Sequence, residues 1–307
     1  MTLQDALSRL HGVRRCGSGY VAFCPAHDDR KTRSLSIREG QDGLVLLYCF
    51  AGCTYRQIVE ALGFTPQAVP IPVVPRTSIR PVRQTDDRNR IEAVRRIWRE
   101  TEPLAGTPAQ HYLENRGIHL PNWPLALRFH PACPHPSGSR LPALVAAVAA
   151  YREGKLRLAA IHRIYIAHDG RKADAEPRKA SLGNVRGAAV WLTRPTDWLI
   201  ITEGIEDALA LMTANCGDSR FAGWSYAAAV SAGNLPNLEL PREVRTVVVA
   251  ADADDAGRKA ATEAACRFID EGRDGRIAYP PEGFKDFNEA LLATRREPQE
   301  LTAARNP

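Results

Sequence analysis

The chain has 307 residues, too many for one ordinary domain and enough for two or three. Apolar residues make up 44% and charged residues 25%, a balance that argues against wholesale disorder and against a membrane protein. The net charge of +6 hints at a polyanionic partner, and where that charge lies matters more than its size.

Met1 to Leu10 carries Asp5 and Arg9 and reads as the start of an amphipathic helix without an apolar signal-peptide core. The longest nearly apolar run, Leu141 to Tyr151, is too short to span a bilayer. A cytoplasmic protein without membrane partners is expected. Residues 1–64 hold a Cys/His-bearing domain. Residues 65–81 then carry five prolines in seventeen positions, which reads as a semi-extended linker, taken as 65–85.

A basic helix follows. Between residues 76 and 99 eight arginines, among them Arg95, Arg96 and Arg99, face Asp86, Asp87 and Glu92, so eight minus three leaves a local charge of +5. Ile91, Val94, Ile97 and Trp98 recur at helical spacing and give this helix one apolar stripe. Trp98 falls on that stripe and is assigned to the core. The arginines form either a solvated face or a phosphate-tracking face, and guanidinium favours phosphate. A second short helix, Thr107 to Asn115, ends at Gly117. Leu127 to Phe129, Ala143 to Tyr151 and Leu156 to Tyr165 read as strands. From Trp198 the pattern alternates. Strands are predicted at Trp198–Thr202, Ser225–Val230, Thr246–Ala251 and Arg276–Tyr279. Helices are predicted at Ile205–Thr213, Ala256–Asp270 and Asp286–Leu292. Such alternation specifies a small, mainly parallel α/β sheet.

Seven cysteines in a chain of this length do not make a disulfide scaffold. Cys24 and His27 form a C-x-x-H pair, Cys49 and Cys53 a C-x-x-x-C pair. The 21 residues between His27 and Cys49 suit a hairpin that brings the pairs together. Four such ligands suit tetrahedral zinc in a structural role, and a module with a small core gains folding energy from the ion. Cys16 is left out, because its spacing to Cys24 fits no short turn.

The run Cys24-Pro25-Ala26-His27, Ser34-Leu35-Ser36-Ile37 and Cys49-Phe50-Ala51-Gly52-Cys53 resembles the zinc ribbon of bacterial and phage DNA primases. In that family the module contacts single-stranded template. The second pair here has the wider of the family's spacings.

Glu203-Gly204 ends one predicted strand, and Asp252-Ala253-Asp254-Asp255-Ala256-Gly257 ends another. Ligands of open parallel sheets gather at the carboxyl ends of strands, so Glu203, Asp252 and Asp254 should converge. Clustered carboxylates call for a hard cation, magnesium or manganese, of the kind that positions phosphates for phosphoryl transfer. Asp255 reads as a first-turn residue that favours the helix dipole by ~0.3–1 kcal/mol.

Strand–Glu-Gly–helix followed by strand–Asp-x-Asp-x-x-Gly–helix resembles the Toprim domain of primases, topoisomerases and some nucleases. The resemblance adds Asp207 and Asp286 to the metal-binding set, with Lys285 beside the latter. Asn288 stands where many relatives carry a further Asp. Arg178-Lys179-Ala180-Ser181-Leu182-Gly183 resembles the basic stretch that precedes Toprim in primases and helps hold nucleoside triphosphate. Residues 107–117, Leu141 to Leu144 and Glu203 to Leu209 are also similar to a primase family of mobile elements. His162 and Arg163, on one strand, face either the catalytic groove or a satisfied strand surface.

The expected fold is multidomain, α+β and α/β. It has a small β zinc ribbon (1–64), a mixed α+β subdomain with the basic helix (86–195), a Toprim-type parallel sheet (196–296) and a tail (297–307). The expected function is a DNA primase of a phage, plasmid or integrative element. Glu203, Asp252 and Asp254 are its catalytic carboxylates, and single-stranded DNA and nucleoside triphosphates its substrates. No G-x-x-x-x-G-K-[ST] loop is present, so a separate replicative helicase is the expected partner. Alternatives are a Toprim nuclease, which shares the acidic site, and a non-catalytic DNA-binding adaptor. A topoisomerase is disfavoured, since no further segment is long enough for a tyrosine-bearing cleavage module.

Overall fold

A computed structural model describes residues 2–16, 19–28, 33–40, 44–49, 51–64 and 82–294. The proline-rich segment, Arg76, Arg80 and the tail from 297 lie outside the described residues. The architecture is multidomain, α+β and α/β. Two compact units form, one within Met1–Pro81, the other from Val82–His135 and Ser139–Pro307.

The first unit opens with α1 (Leu3–Ser8). Thr2 and Asp5 cap it reciprocally, Asp5 N–H donating to Thr2 Oγ1 (3.2 Å) and Thr2 N–H to Asp5 Oδ2 (2.9 Å). Strands β1 (Arg14–Cys16), β2 (Gly19–Ala22), β3 (Leu35–Glu39) and β4 (Val45–Cys49) form an antiparallel meander in chain order. Helix α2 (Tyr55–Ala61) closes it behind the Thr54–Gln57 capping box. Its core is small, built on Ala6, Ala22, Leu35, Ile37, Val45, Ile58 and Leu62. The hairpin expected between the two ligand pairs is β3–β4, with Leu35 opposite Cys49.

The second unit starts with α3 (Val82–Arg99), β5 (Glu102–Pro103) and α4 (Pro108–Glu114). Proline at the first position suits the start of α4, and Gly117, at φ +72°, turns the chain away after it. Strands β6 (Leu127–Pro134), β7 (Arg140–Arg152), β8 (Lys155–Tyr165) and β9 (Lys179–Gly183) follow, and the antiparallel sheet has the order β5-β6-β7-β8-β9. Both faces of β7 are covered, which explains its unbroken apolar run. Ala143 and Val145 pack with Val94 and Ile97 of α3, while Leu144, Ala146 and Val148 enter the main core behind.

A second sheet follows, made of β10 (Val190–Trp191), β11 (Trp198–Thr202), β12 (Ser225–Ala228), β13 (Thr246–Ala250) and β14 (Asp274–Ala278). Its order is β10-β12-β11-β13-β14, parallel except for β10. Helix α5 (Ile205–Ala214) connects β11 to β12, α6 (Asp255–Asp270) connects β13 to β14, and α7 (287–294) ends the described chain. One core joins α4, the antiparallel sheet, α5 and Leu291 of α7; another holds Ala261, Ala264 and Phe268 of α6 against β11 and β13. Predicted and observed elements agree in kind from Trp198 onward. Strands β1, β2, β5, β9 and β10 were not predicted: each is short, and pairing more than an apolar pattern makes it a strand.

Candidate metal centre and candidate active site

In the first unit Cys24 follows β2, His27 lies in the next turn, Cys49 ends β4 and Cys53 precedes the cap of α2. Leu35 pairs with both Ala22 and Cys49, so the ends of β2 and β4 flank β3 and bring the two ligand pairs together. The four ligand atoms all lie within 4.8 Å of one another. His27 Nδ1 stands 3.2 Å from Cys53 Sγ and 3.8 Å from Cys49 Sγ. Tetrahedral zinc with bonds of about 2.3 Å to sulfur needs ligand separations of just this order. Ser34 Oγ lies 3.4 Å from His27 Nε2 and 3.8 Å from Cys49 Sγ, so it orients two of the four. Gly52 at φ +91° turns the chain within the wider C-x-x-x-C spacing. Burial pushes the Cys24 thiol up to about 12, a cost that a cation among the sulfurs removes. The donor set fits zinc. Cys16 is exposed on β1, outside this group.

In the second unit a cleft of about 210 Å³ opens at the carboxyl ends of β11 and β13. Its lining holds five acidic residues, Glu203, Glu206, Asp207, Asp252 and Asp286, together with Arg116, Lys172, Lys179 and Lys285; Lys285 Nζ lies 3.8 Å from Asp286 Oδ2. Burial, then the crowd of Asp207, Glu203 and Asp286, pushes the Asp252 carboxyl up to about 7. Among the described residues its buried Oδ1 has no hydrogen-bond partner. Burial raises Asp207 to about 6, although its Oδ1 accepts the Asn288 backbone N–H at 3.0 Å. Glu203 is raised as well, again by burial first. An orphaned oxygen among carboxylates that resist ionising together fits a divalent cation. Gly257 is a steric necessity against backbone, and Gly204 leaves room for the Asp207 carboxylate. A Cβ on Gly204 would come within 2.8 Å of Asp207 Oδ2, and one on Gly257 within 2.7 Å of the Asp252 carbonyl.

Residues 198–297 match the family model described as Toprim domain. This part of the chain is a Toprim domain. Residues 88–192 match a domain of unknown function, DUF7146. The chain is similar to the zinc-binding and RNA polymerase domains of the Aquifex aeolicus primase, with 17% identity and TM-score 0.44, over 98% of this chain and 83% of that one. It is similar to the primase fragment of the bacteriophage T7 primase-helicase protein at 20% identity and TM-score 0.36, over 52% of this chain and 66% of that one, just under two thirds of its length. Similarity to a DNA primase domain from Pseudomonas aeruginosa has 19% identity and TM-score 0.34, over 54% of this chain and 53% of that one. No protein with a curated description matches the chain.

Of the acidic residues singled out in the sequence, the Toprim cleft gathers Glu203, Asp207, Asp252 and Asp286. Asp254 is the N-cap of α6, its Oδ1 accepting the Gly257 N–H at 2.7 Å, and it stands outside the cleft lining. Asp255 lies in the first turn of α6, as expected. Lys179 and Lys285 line the cleft; Arg178 is exposed outside it. Arg95, Arg96 and Arg99 are exposed on α3, which covers the face of the antiparallel sheet remote from the main core. Trp98 packs partly buried against that sheet.

His162 and Arg163 do not share a face, because side chains alternate along β8. His162 enters the cleft, with Nδ1 2.9 Å from Ser181 Oγ, and burial lowers it to about 4, so it is neutral. Arg163 points to the α3 side and donates to the carbonyls of Pro134 (2.8 Å) and Ala180 (3.3 Å). Sequence reasoning passed over Arg116, Lys172, Glu206 and Val230. Glu206 had a signal: it shares a helix face with Leu209 and Ala210, so a charge there is buried and needs partners. Its Oε1 accepts the Tyr112 hydroxyl at 2.9 Å and lies 3.2 Å from Lys172 Nζ. Burial alone would raise its carboxyl; Lys172, Lys179 and Arg116 outweigh that and hold it down at about 2. Val230, β-branched at φ +63°, is a strained residue on the cleft wall just past β12. Asn288 is buried, its amide donating to the Arg116 carbonyl at 2.8 Å, a bond that a carboxylate could not make.

Proposed function

We propose that the chain is a DNA primase that joins nucleotides on single-stranded template by divalent-metal-dependent nucleotidyl transfer. One observation carries this reading: a single cleft at the carboxyl ends of the Toprim strands gathers Glu203, Asp207, Asp252 and Asp286 with Arg116, Lys172, Lys179 and Lys285. Glu203, Asp207, Asp252 and Asp286 would hold magnesium or manganese, and Asp254 keeps its second oxygen for the same task. When bound, such an ion aligns a 3′-hydroxyl with an α-phosphate and offsets charge on the departing pyrophosphate.

The chain's own residues do the rest. Lys179, Lys285 and Arg116 bind phosphate oxygens and fix the triphosphate against the acidic wall. His162, neutral and held by Ser181, offers a ring nitrogen to the substrate without adding charge. Arg178 and the exposed Arg95, Arg96 and Arg99 meet template phosphates as charge-assisted partners. Residues 1–64 form the template-binding module around a structural zinc, and 86–195 and 196–296 the two parts of the catalytic core. The mobile-element resemblance of residues 107–117 and 203–209 favours such a replicon and a separate helicase.

The decisive experiment incubates the purified chain with mixed-sequence single-stranded DNA, magnesium or manganese and labelled nucleoside triphosphates, beside Glu203→Gln. New short oligonucleotides from the wild type alone are expected. DNA cut without added nucleotides would replace this reading with a nuclease, and DNA bound without any chemistry would replace it with an adaptor.

A further inference from the structure

Lys172 lies on the short hairpin after β8, where it bridges Ile166. The tip of that hairpin is docked on the end of α4. Asn115 Nδ2 donates to the Gly170 carbonyl at 3.2 Å, and a Cβ on Gly170 would meet that nitrogen at 2.7 Å. The same hairpin delivers the Lys172 ammonium to Glu206 Oε1, which also accepts the Tyr112 hydroxyl. A carboxylate only 6% exposed therefore ties α4, the hairpin and α5 of the Toprim domain together.

Two features make this more than a structural tie. The Lys172 side chain is 27% exposed where it lines the cleft, and an ammonium has three donors, of which Glu206 takes one. Arg116 and Lys179 line the same cleft, and among the described residues neither makes an ion pair. Like charges brought together in a protein wall repel unless an anion joins them. Glu206 pairs directly with Lys172 alone, and all three cations line the cleft, where the phosphates of a polyphosphate would find donors from each.

We infer that Lys172 contacts the phosphates of the incoming nucleoside triphosphate, and that Glu206 is the positioning residue that fixes its ammonium for that contact. This rests on the reading of the cleft as a triphosphate site. It also gives Glu206 a task separate from that of Glu203, Asp207, Asp252 and Asp286, because its Oε1 is already taken by Tyr112 and Lys172.

The test compares the full-length wild type with Lys172→Met, Glu206→Gln and the double variant. Melting temperature reports folding, and calorimetric titration with magnesium tripolyphosphate and with magnesium ATP reports binding. Lys172→Met strands a buried carboxylate and should lose both stability and affinity. Glu206→Gln keeps an acceptor for Tyr112 but frees the ammonium, and should weaken binding while Tyr112 stays in place. The double variant removes both charges and should regain stability, yet bind both probes about 10- to 100-fold more weakly, the size of one charge-assisted bond. In oligonucleotide synthesis that loss should fall on the nucleotide KM more than on kcat.

A stable double variant that binds both probes as tightly as wild type would overturn the inference, leaving Lys172 as the counter-charge of Glu206 and the cleft reading intact. A wild type that binds neither probe would remove the cleft reading and the inference with it. Should the double variant not fold, Lys172→Gln, which keeps a donor for Glu206 and drops the charge, is read by the same two outcomes.

Discussion

Asp252 shows how one carboxyl reports on a whole cleft. Its value near 7, against an ordinary 3.8, means that the folded chain holds a proton there that the unfolded chain has already released. Stability from this group is therefore undiminished below about pH 4 and lost as pH rises toward 7, the reverse of a salt-bridged carboxylate. Without divalent ions, Asp252→Asn should melt at the wild-type temperature near pH 4 and gain on it as pH rises to 8, on the order of 2–4 °C. Water in the cleft screens the charges and keeps the effect small. Added magnesium should reverse the order at pH 8, since a bound cation stabilises only the chain that can hold it. Melting curves at both pH values, with chelator and with magnesium, check this. A difference independent of pH would show that Asp252 is not charged against its neighbours.

At the scale of elements, the sequence was readable where the pattern was strong and misleading where polar residues sat on paired strands. The C-x-x-H and C-x-x-x-C pairs declared themselves, because their spacing and the hairpin between them are local. Glu203 and Asp252 were legible because β11 and β13 are apolar strands whose ends are easy to place, whereas Asp207, in the first turn of α5, came only from the Toprim resemblance. Lys172 and Arg116 were not: they reach the cleft only through tertiary docking of the hairpin tip on α4, which no local pattern encodes. His162 and Arg163 show the limit most plainly, since the strand was recognised but its register was not. Alternation along β8 sends one residue to the cleft and its neighbour under α3. Arg163→Ala should accordingly cost about 1–3 kcal/mol in urea unfolding, because it deprives buried carbonyls of their donor. It should leave triphosphate affinity at the wild-type value. A loss of affinity with unchanged stability would place Arg163 at the substrate after all.

For the whole molecule, the two units hold their folds by different means. The second buries two large cores beneath its sheets. Among the described residues the first has a core of ten, and two of these, Cys24 and Cys49, belong to the four Cys/His side chains placed to hold a metal ion. A structural zinc contributes roughly 10–16 kcal/mol to the folding of small modules, as much as the whole stability of an ordinary domain, so the ion decides whether such a core persists. Stripping the metal with a strong chelator should thus act on one unit alone. Hydrogen exchange should show amides of β2, β3 and β4 losing protection, while those of β11 and β13 keep theirs. Zinc, restored, should bring the first unit back. Cys49→Ser should copy the chelator, because removing one thiolate leaves three ligands around an ion that structural sites hold with four. Uniform loss of protection along the chain would mean that the two units unfold as one. Undiminished protection in the meander would mean that its apolar residues suffice without metal. The contrast between the two units then also separates the tasks proposed for them: the triphosphate binding proposed for the second should survive the chelator when magnesium is resupplied.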